Sequence, residues 1–167
     1  MNDGAAAEFS DFAHSRWRRL VRLGYGLTGD RGLAEDLAQT ALANAYASWS
    51  RVRKADDPDA YLNRILLNSH RSRFRKRRVT EDLGASLPEP TTEDPASAQS
   101  DRVTVIAAVA ALPPKQREVV VCRFWLDLTE AQTAAALGCS VGNVKSQTSR
   151  ALAKLRDSAE LADWGAR

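Results

Sequence analysis

A chain of 167 residues, 44% apolar and 27% charged, can hold one mid-sized domain or two small ones. No apolar run approaches the ~20 residues that span a bilayer. Met1 to Glu8 lacks the basic start and apolar core of a secretory signal. The expectation is a cytoplasmic protein with no membrane partner.

Charge is distributed in blocks. Residues 1–80 carry 15 bases and 9 acids, residues 81–101 six acids and no base, and residues 102–167 nine bases and six acids. Two basic blocks around one acidic stretch suit a polyanionic partner.

In chain order, helical spacing predicts a first helix over Ala5 to Leu27, with Phe9, Phe12, Ala13, Trp17, Leu20, Leu23 and Leu27 on one face. Arg16, Arg18, Arg19 and Arg22 should mostly turn outward. After a break at Thr28-Gly29-Asp30, Asp30 can cap a second helix running to Trp49. Its stripe is Leu33, Leu37, Ala41, Leu42, Ala45, Tyr46 and Trp49, with Glu35, Asp36, Gln39 and Asn44 away from it. Ser50 to Asp57 reads as a loop bearing Arg51, Arg53 and Lys54. Asp57-Pro58 starts a third helix that carries Tyr61, Leu62, Ile65, Leu66, Ser69 and Phe74. It ends in six bases within Arg71 to Arg78, more than solubility requires.

Val79 to Ser100, with Pro88, Pro90 and Pro95, cannot bury enough surface to fold by itself. It divides the chain into two small helical modules, 5–78 and 101–160, joined by a flexible acidic linker at 79–100. The fold class is all-α. The second module opens with a helix over Ala96 to Leu112, with Val103, Ile106, Ala107 and Ala110 inward. Pro113-Pro114 then starts another, over Lys115 to Leu126.

Leu128 to Arg156 reads as a helix-turn-helix. Thr129 and Gln132 form a capping box, and Ala131, Ala134, Ala135 and Leu137 recur at helical spacing. Gly138 closes the first helix and Ser140 caps the second. The second helix has an inner row of Val141, Val144, Thr148, Leu152 and Leu155. Its outer face carries Asn143, Lys145, Ser146, Ser149 and Arg150, and no acid lies between Val141 and Arg156. Such side chains face bases and phosphates in a major groove. A helical hairpin with a solvated face is the competing reading, although such a face usually mixes both signs.

Catalytic chemistry is hard to place. His14 and His70 sit in separate helices without an obvious partner, and no phosphate loop or nucleophile elbow occurs. Cys122 and Cys139, with no histidine nearby, make a poor metal site and read as buried, reduced thiols. The expectation is no enzyme, no cofactor and no metal.

Motifs in both modules resemble one family, the extracytoplasmic-function sigma factors of bacterial RNA polymerase, and especially its short actinobacterial members. In the first module these are Ala34-Glu35-Asp36-Leu37-Ala38-Gln39, Asp57-Pro58 with Ala60-Tyr61-Leu62-Asn63-Arg64-Ile65, and Asn68 before the arginine-rich end. In the second they are Ala111-Leu112-Pro113-Pro114-Lys115-Gln116-Arg117, Ser140-Val141-Gly142-Asn143-Val144-Lys145-Ser146 and Ala151-Leu152-Ala153-Lys154-Leu155-Arg156.

The resemblance implies a subunit that binds core RNA polymerase and directs initiation at −35 and −10 promoter elements. Asp36, Leu37 and Gln39 would belong to the polymerase-docking helix. Arg51, Val52, Arg53 and Lys54 would form the loop that captures a flipped −10 base. Tyr61, Arg64 and Asn68 match the −10 helix, and the basic end with Arg71 and Arg75 would track phosphates. Asn143, Lys145, Ser146, Ser149 and Arg150 would face the −35 element. An anti-sigma factor is a further partner the family admits. Thr40 and Ala41 stand where many members have Glu and Phe, Asn143 replaces a common Thr, and Ser149 is small where some members have an aromatic. The −35 sequence therefore cannot be copied from relatives. The alternative is a stand-alone helix-turn-helix regulator, which would carry a receiver or ligand domain upstream; an anti-sigma-like interaction protein is a third reading.

Overall fold

The computed structural model describes residues 3–82 and 101–158, and no strand occurs among them. The first helix, α1 (Asp3–Thr28), is longer than its apolar face requires. Leu20, Leu23 and Leu27 are buried, and Phe9, Phe12 and Trp17 pack against the same core. Its arginines are not all turned to solvent. Arg16 Nε donates to Asp59 Oδ1 at 2.9 Å and Arg19 Nη2 to Asn63 Oδ1 at 2.6 Å, so two of them pin α1 to the helix carrying those partners.

Asp30 caps α2 (Arg31–Ala47), its Oδ1 accepting from Leu33 N at 2.8 Å. Ala34, Leu37, Ala38, Ala41 and Ala45 form the buried face; the expected stripe shifts, because Tyr46 is exposed. The loop expected after α2 is partly helical. Trp49 and Val52, one turn apart and both buried, fold Trp49–Val52 into a short α3. The bases beside them in sequence hide this anchor.

The fourth helix, α4 (Pro58–Asp82), begins with Asp57 Oδ1 accepting from Ala60 N. Leu62, Leu66 and Leu67 reach the core, whereas Phe74 is exposed. The helix continues through Val79–Asp82, where the linker was expected to begin. The rest of that linker, and the tail after Ser158, lie outside the described residues.

In α5 (Asp101–Ala110) the buried pair is Ala108 and Val109, with Ile106, Ala107 and Ala110 half-buried. The helix packs on α1 with Val109 in the shared core, and Val103, also expected inward, lies outside the residues whose side chains are described. The next expected helix divides into α6 (Pro114–Val120) and a π turn (Val121–Trp125). The π turn buries Val121 and Cys122, and Asp127 follows with φ 53°, a conformation Asp tolerates better than most residues. Burial pushes the Cys122 thiol up to about 12, and both cysteines are free.

The helix-turn-helix forms with the expected caps. Thr129 Oγ1 accepts from Gln132 N and Gln132 Oε1 from Thr129 N, starting α7 (Glu130–Leu137). Gly138 sits at φ 67°, where a Cβ would be strained. Ser140 Oγ accepts from Asn143 N at 3.0 Å and starts α8 (Val141–Asp157). Two details of the expected faces change. In α7 the inward residues are Thr133 and Ala134, while Ala131 and Ala135 are exposed. In α8 Val144 and Ala151 are buried, but Val141 is 39% exposed.

Candidate DNA-reading and docking surfaces

The outer face of α8 is built by its inner face. Val144 is buried against Val119 of α6 and Ala134 of α7, and Thr148 Oγ1 donates to Val144 O at 2.7 Å. That fixes the helix rotation and leaves Lys145, Ser146, Ser149 and Arg150 exposed, with Asn143 half-buried beside them. Gln147 Nε2 donates to Asn143 Oδ1 at 3.5 Å. Lys145 Nζ lies 3.8 Å from Glu130 Oε2, an exposed pair worth little in water and readily exchanged for a phosphate. The five residues expected to face a −35 element thus share one surface.

Three of the −10 candidates meet at a groove of about 690 Å³ between α2, α3 and α4. Arg51, Tyr61 and Asn68 line it, as expected from sequence. Asn44, Ser48, Ser69 and Arg73 line it too, and sequence reasoning had not chosen them for this role. The signal was present in the spacing of Asn44 on α2 and Ser48 at its C-terminal cap, and of Ser69 and Arg73 on α4. It becomes legible only once the two helices are paired. Asn44 Nδ2 donates to Ser69 Oγ at 3.2 Å across the groove. Among the described residues no carboxylate lines it, and its wall mixes amides, hydroxyls and the Tyr61 ring, a surface suited to a base and its backbone.

The remaining candidates are dispersed. Val52 is fully buried and anchors the loop rather than lining the groove. Arg53 Nη1 lies 3.4 Å from Glu8 Oε2, and Lys54 is exposed. Arg64 and Arg75 are exposed on α4. Arg71 is turned to the second module, its Nη1 donating to Ala136 O at 2.9 Å. On α2, Asp36 and Gln39 are exposed and Leu37 is fully buried beneath them.

Two groups gain partners that sequence did not reveal. His70 Nε2 donates to Glu118 Oε1 at 2.8 Å, which places a proton on that nitrogen. Arg117 Nε donates to Leu27 O at 2.8 Å; burial lowers its pKa from the usual guanidinium value. Among the described residues no cluster of three or more His, Cys, Asp or Glu could hold a metal, and no helix is long and apolar enough to cross a membrane.

Comparison with known proteins finds both modules. Residues 13–80 match the family model for sigma-70 region 2, and residues 102–155 match that for sigma-70, region 4. The chain is 40% identical over 167 residues to the RNA polymerase sigma-E factor of Streptomyces antibioticus, covering 100% of this chain and 93% of the relative. It is 38% identical to that of Streptomyces coelicolor, covering 98% and 93%. Among solved structures, the sigma factor RpoE in complex with the anti-sigma factor NepR from Bartonella quintana superposes with TM-score 0.67 at 28% identity, covering 90% of this chain and 95% of that one.

Proposed function

The chain belongs to the extracytoplasmic-function sigma factors of bacterial RNA polymerase, and on that premise we propose which of its residues carry each part of the task. The factor binds core RNA polymerase and directs promoter-specific transcription initiation. The stand-alone regulator loses its support, since residues 13–80 match sigma region 2 where that reading needs a receiver or ligand domain.

In this proposal, residues 5–78 dock on polymerase and read the −10 element, 79–100 link, and 101–160 read the −35 element. Asn143, Lys145, Ser146, Ser149 and Arg150 meet the −35 duplex, with Arg150 and Lys145 supplying most of the affinity. The α2–α4 groove takes the −10 strand as it melts. Asn68 bonds a base edge, Tyr61 offers a ring to stack on, and Arg51, Arg53, Lys54 and Arg64 hold phosphates. Val52 sets the height of that loop from below. Arg71 and Arg75 extend the cationic track along α4. Asp36 and Gln39 contact the polymerase, with Leu37 supporting them from the core. Phosphodiester chemistry belongs to the polymerase; the factor itself is not an enzyme, needs no cofactor and works in the cytoplasm. An anti-sigma factor is a further partner, as for the solved relative seen with NepR.

The groove carries the reading, because it brings Arg51, Tyr61 and Asn68 together on one surface lined by no carboxylate among the described residues. Replacing Asn68 with Ala should weaken open-complex formation by the ~1–3 kcal/mol of a base-edge contact, while binding to an isolated −35 duplex is unchanged. Wild-type strand opening by Asn68→Ala, read by reactivity of unpaired thymines, would remove Asn68 from the −10 site.

A further inference from the structure

The buried residues of α1 all lie in its C-terminal half, from Leu20 onward. Its first turns present a different row. Glu8, Phe12 and Arg16 follow at four-residue spacing with Phe9 beside them, so all four share one side of the helix. Each meets the segment that joins α2 to α4 or the residues at its two ends. Phe9 packs edge-on against Trp49, with ring centroids 5.2 Å apart, and against Tyr46 at 5.0 Å. Phe12 meets the Trp49 ring at 5.1 Å. Glu8 Oε2 lies 3.4 Å from Arg53 Nη1. The Arg16 guanidinium stands 4.3 Å from the centre of the Phe12 ring and pairs with Asp59 in the first turn of α4. One face of one helix thus grips the segment at its entry, its middle and its exit.

The segment depends on that grip. A helix of four residues such as α3 is too short to hold itself, and its buried residues are Trp49 and Val52. Trp49 Nε1 is buried without a hydrogen-bond partner among the described residues. The ring is therefore seated by Phe9 and Phe12 rather than by a polar contact. Edge-on and tilted ring contacts are directional, so they set the rotation of α3 as well as its depth. Arg51 projects from the same turn into the groove and moves whenever α3 moves. The match to sigma-70 region 2 begins at residue 13, and Glu8, Phe9 and Phe12 all precede it.

Arg53 adds a charge argument. It is one of the bases assigned above to phosphates, yet a carboxylate already stands beside it. The pair is about half exposed on both sides, so it contributes little to stability. Its consequence falls on DNA, which must displace Glu8 to gain Arg53. Masking a phosphate-seeking charge lowers sequence-blind attraction and leaves base contacts to decide capture.

We propose that the first turns of α1 are a clamp on the −10 capture loop, in which Phe9 and Phe12 position α3 through Trp49 and Glu8 masks Arg53, and that this clamp sets how strictly the −10 base is discriminated. The proposal rests on the −10 reading of the α2–α4 groove. Phe9, Phe12 and Glu8 are positioning residues: they act through Trp49 and Arg53 and need not touch DNA themselves.

The test uses the chain bound to core polymerase and a promoter it transcribes, with all four bases placed in turn at each −10 position. Phe9→Ala and Phe12→Ala should lower the ratio of open-complex rates between the best and worst base by about tenfold, in the lower part of the range for one lost base contact. Affinities for core polymerase and for a −35 duplex should stay at wild type. Phe9→Tyr keeps the ring and should restore the ratio. Should Phe9→Ala lose helical signal, Phe9→Leu decides, since it keeps apolar volume and removes the ring. Glu8→Gln should steepen the salt dependence of binding to a −10 single strand by about 0.7 in log–log slope, the share of one phosphate, for matched and mismatched strands alike. Wild-type discrimination in the ring variants, losses spread equally over polymerase and −35 binding, a Phe9→Tyr chain as lax as Phe9→Ala, or an unchanged slope in Glu8→Gln would each overturn the clamp. Asn68→Ala run beside them separates the two levels. A defect there with wild-type α1 variants strikes the clamp alone, whereas wild-type discrimination and opening by Asn68→Ala strikes the −10 reading and the clamp with it.

Discussion

Val141 and Val144 offer a direct trial of how α8 is seated. Both fall on the inner row that helical spacing marks, yet Val144 is fully buried against Val119 and Ala134 while Val141 is 39% exposed. Replacing Val144 with Ala removes the equivalent of two methylenes, about 1.6 kcal/mol of transfer free energy at ~0.8 each. The ~50 Å³ vacated adds up to about 1.2 kcal/mol at ~24 cal/mol per Å³ if the surroundings do not relax. The expected loss is about 2–3 kcal/mol. Val141→Ala should cost under about 0.5 kcal/mol, the usual range for surface positions. Urea denaturation of the full chain, followed by helical signal, measures both. Equal losses at the two positions, or a larger loss at Val141, would refute the seating of α8 and with it the identity of the DNA-facing surface.

Arg150→Ala should weaken binding to the upstream duplex by about 1–3 kcal/mol; promoter affinity equal to wild type by fluorescence anisotropy would take Arg150 off the −35 face. Asp36→Ala should raise the Kd for core polymerase while leaving helicity intact, since Asp36 is exposed; an unaltered Kd would remove it from the docking surface. The Arg16 guanidinium hydrogen-bonded to Asp59 holds that carboxyl below its usual value. A depressed folded pKa stabilises above the unfolded value and loses that contribution as pH falls through the folded one, so the stability Asp59 contributes should fade below about pH 4. Arg16→Ala should return the Asp59 titration, followed by carboxyl NMR shifts, to the ordinary range, and an unmoved titration would show that Arg16 is not the cause.

Local signals in the sequence carried the parts of the fold that local chemistry decides. The Thr129–Gln132 capping box, Gly138 in the left-handed region, Ser140 on Asn143 N and Asp30 on Leu33 N all form where the residue types demand them. Tertiary pairing decided the rest. Val52, expected in a loop, is drawn into helix with Trp49 because both reach the core, and the bases around Val52 in sequence do not announce that. Tyr46 and Phe74 fit an apolar stripe but stay exposed, Tyr46 touching only the rim of the core through an edge contact with Phe9. His70 lacked a partner in sequence because Glu118 stands 48 residues away, on the other module. The candidate site divides the same way. The α8 face follows from periodicity on one helix. The groove needed α2 and α4 to be paired before Asn44 and Ser69 could join Tyr61 and Asn68.

Reconstitution of the purified chain with core RNA polymerase, followed by transcription from promoter DNA, tests the central assignment most directly. The expected result is a stable complex with core polymerase and transcripts that appear only with this chain and only from templates carrying both a −35 and a −10 element. Specific DNA binding by the chain alone, with no polymerase complex and no promoter-dependent transcript, would contradict it.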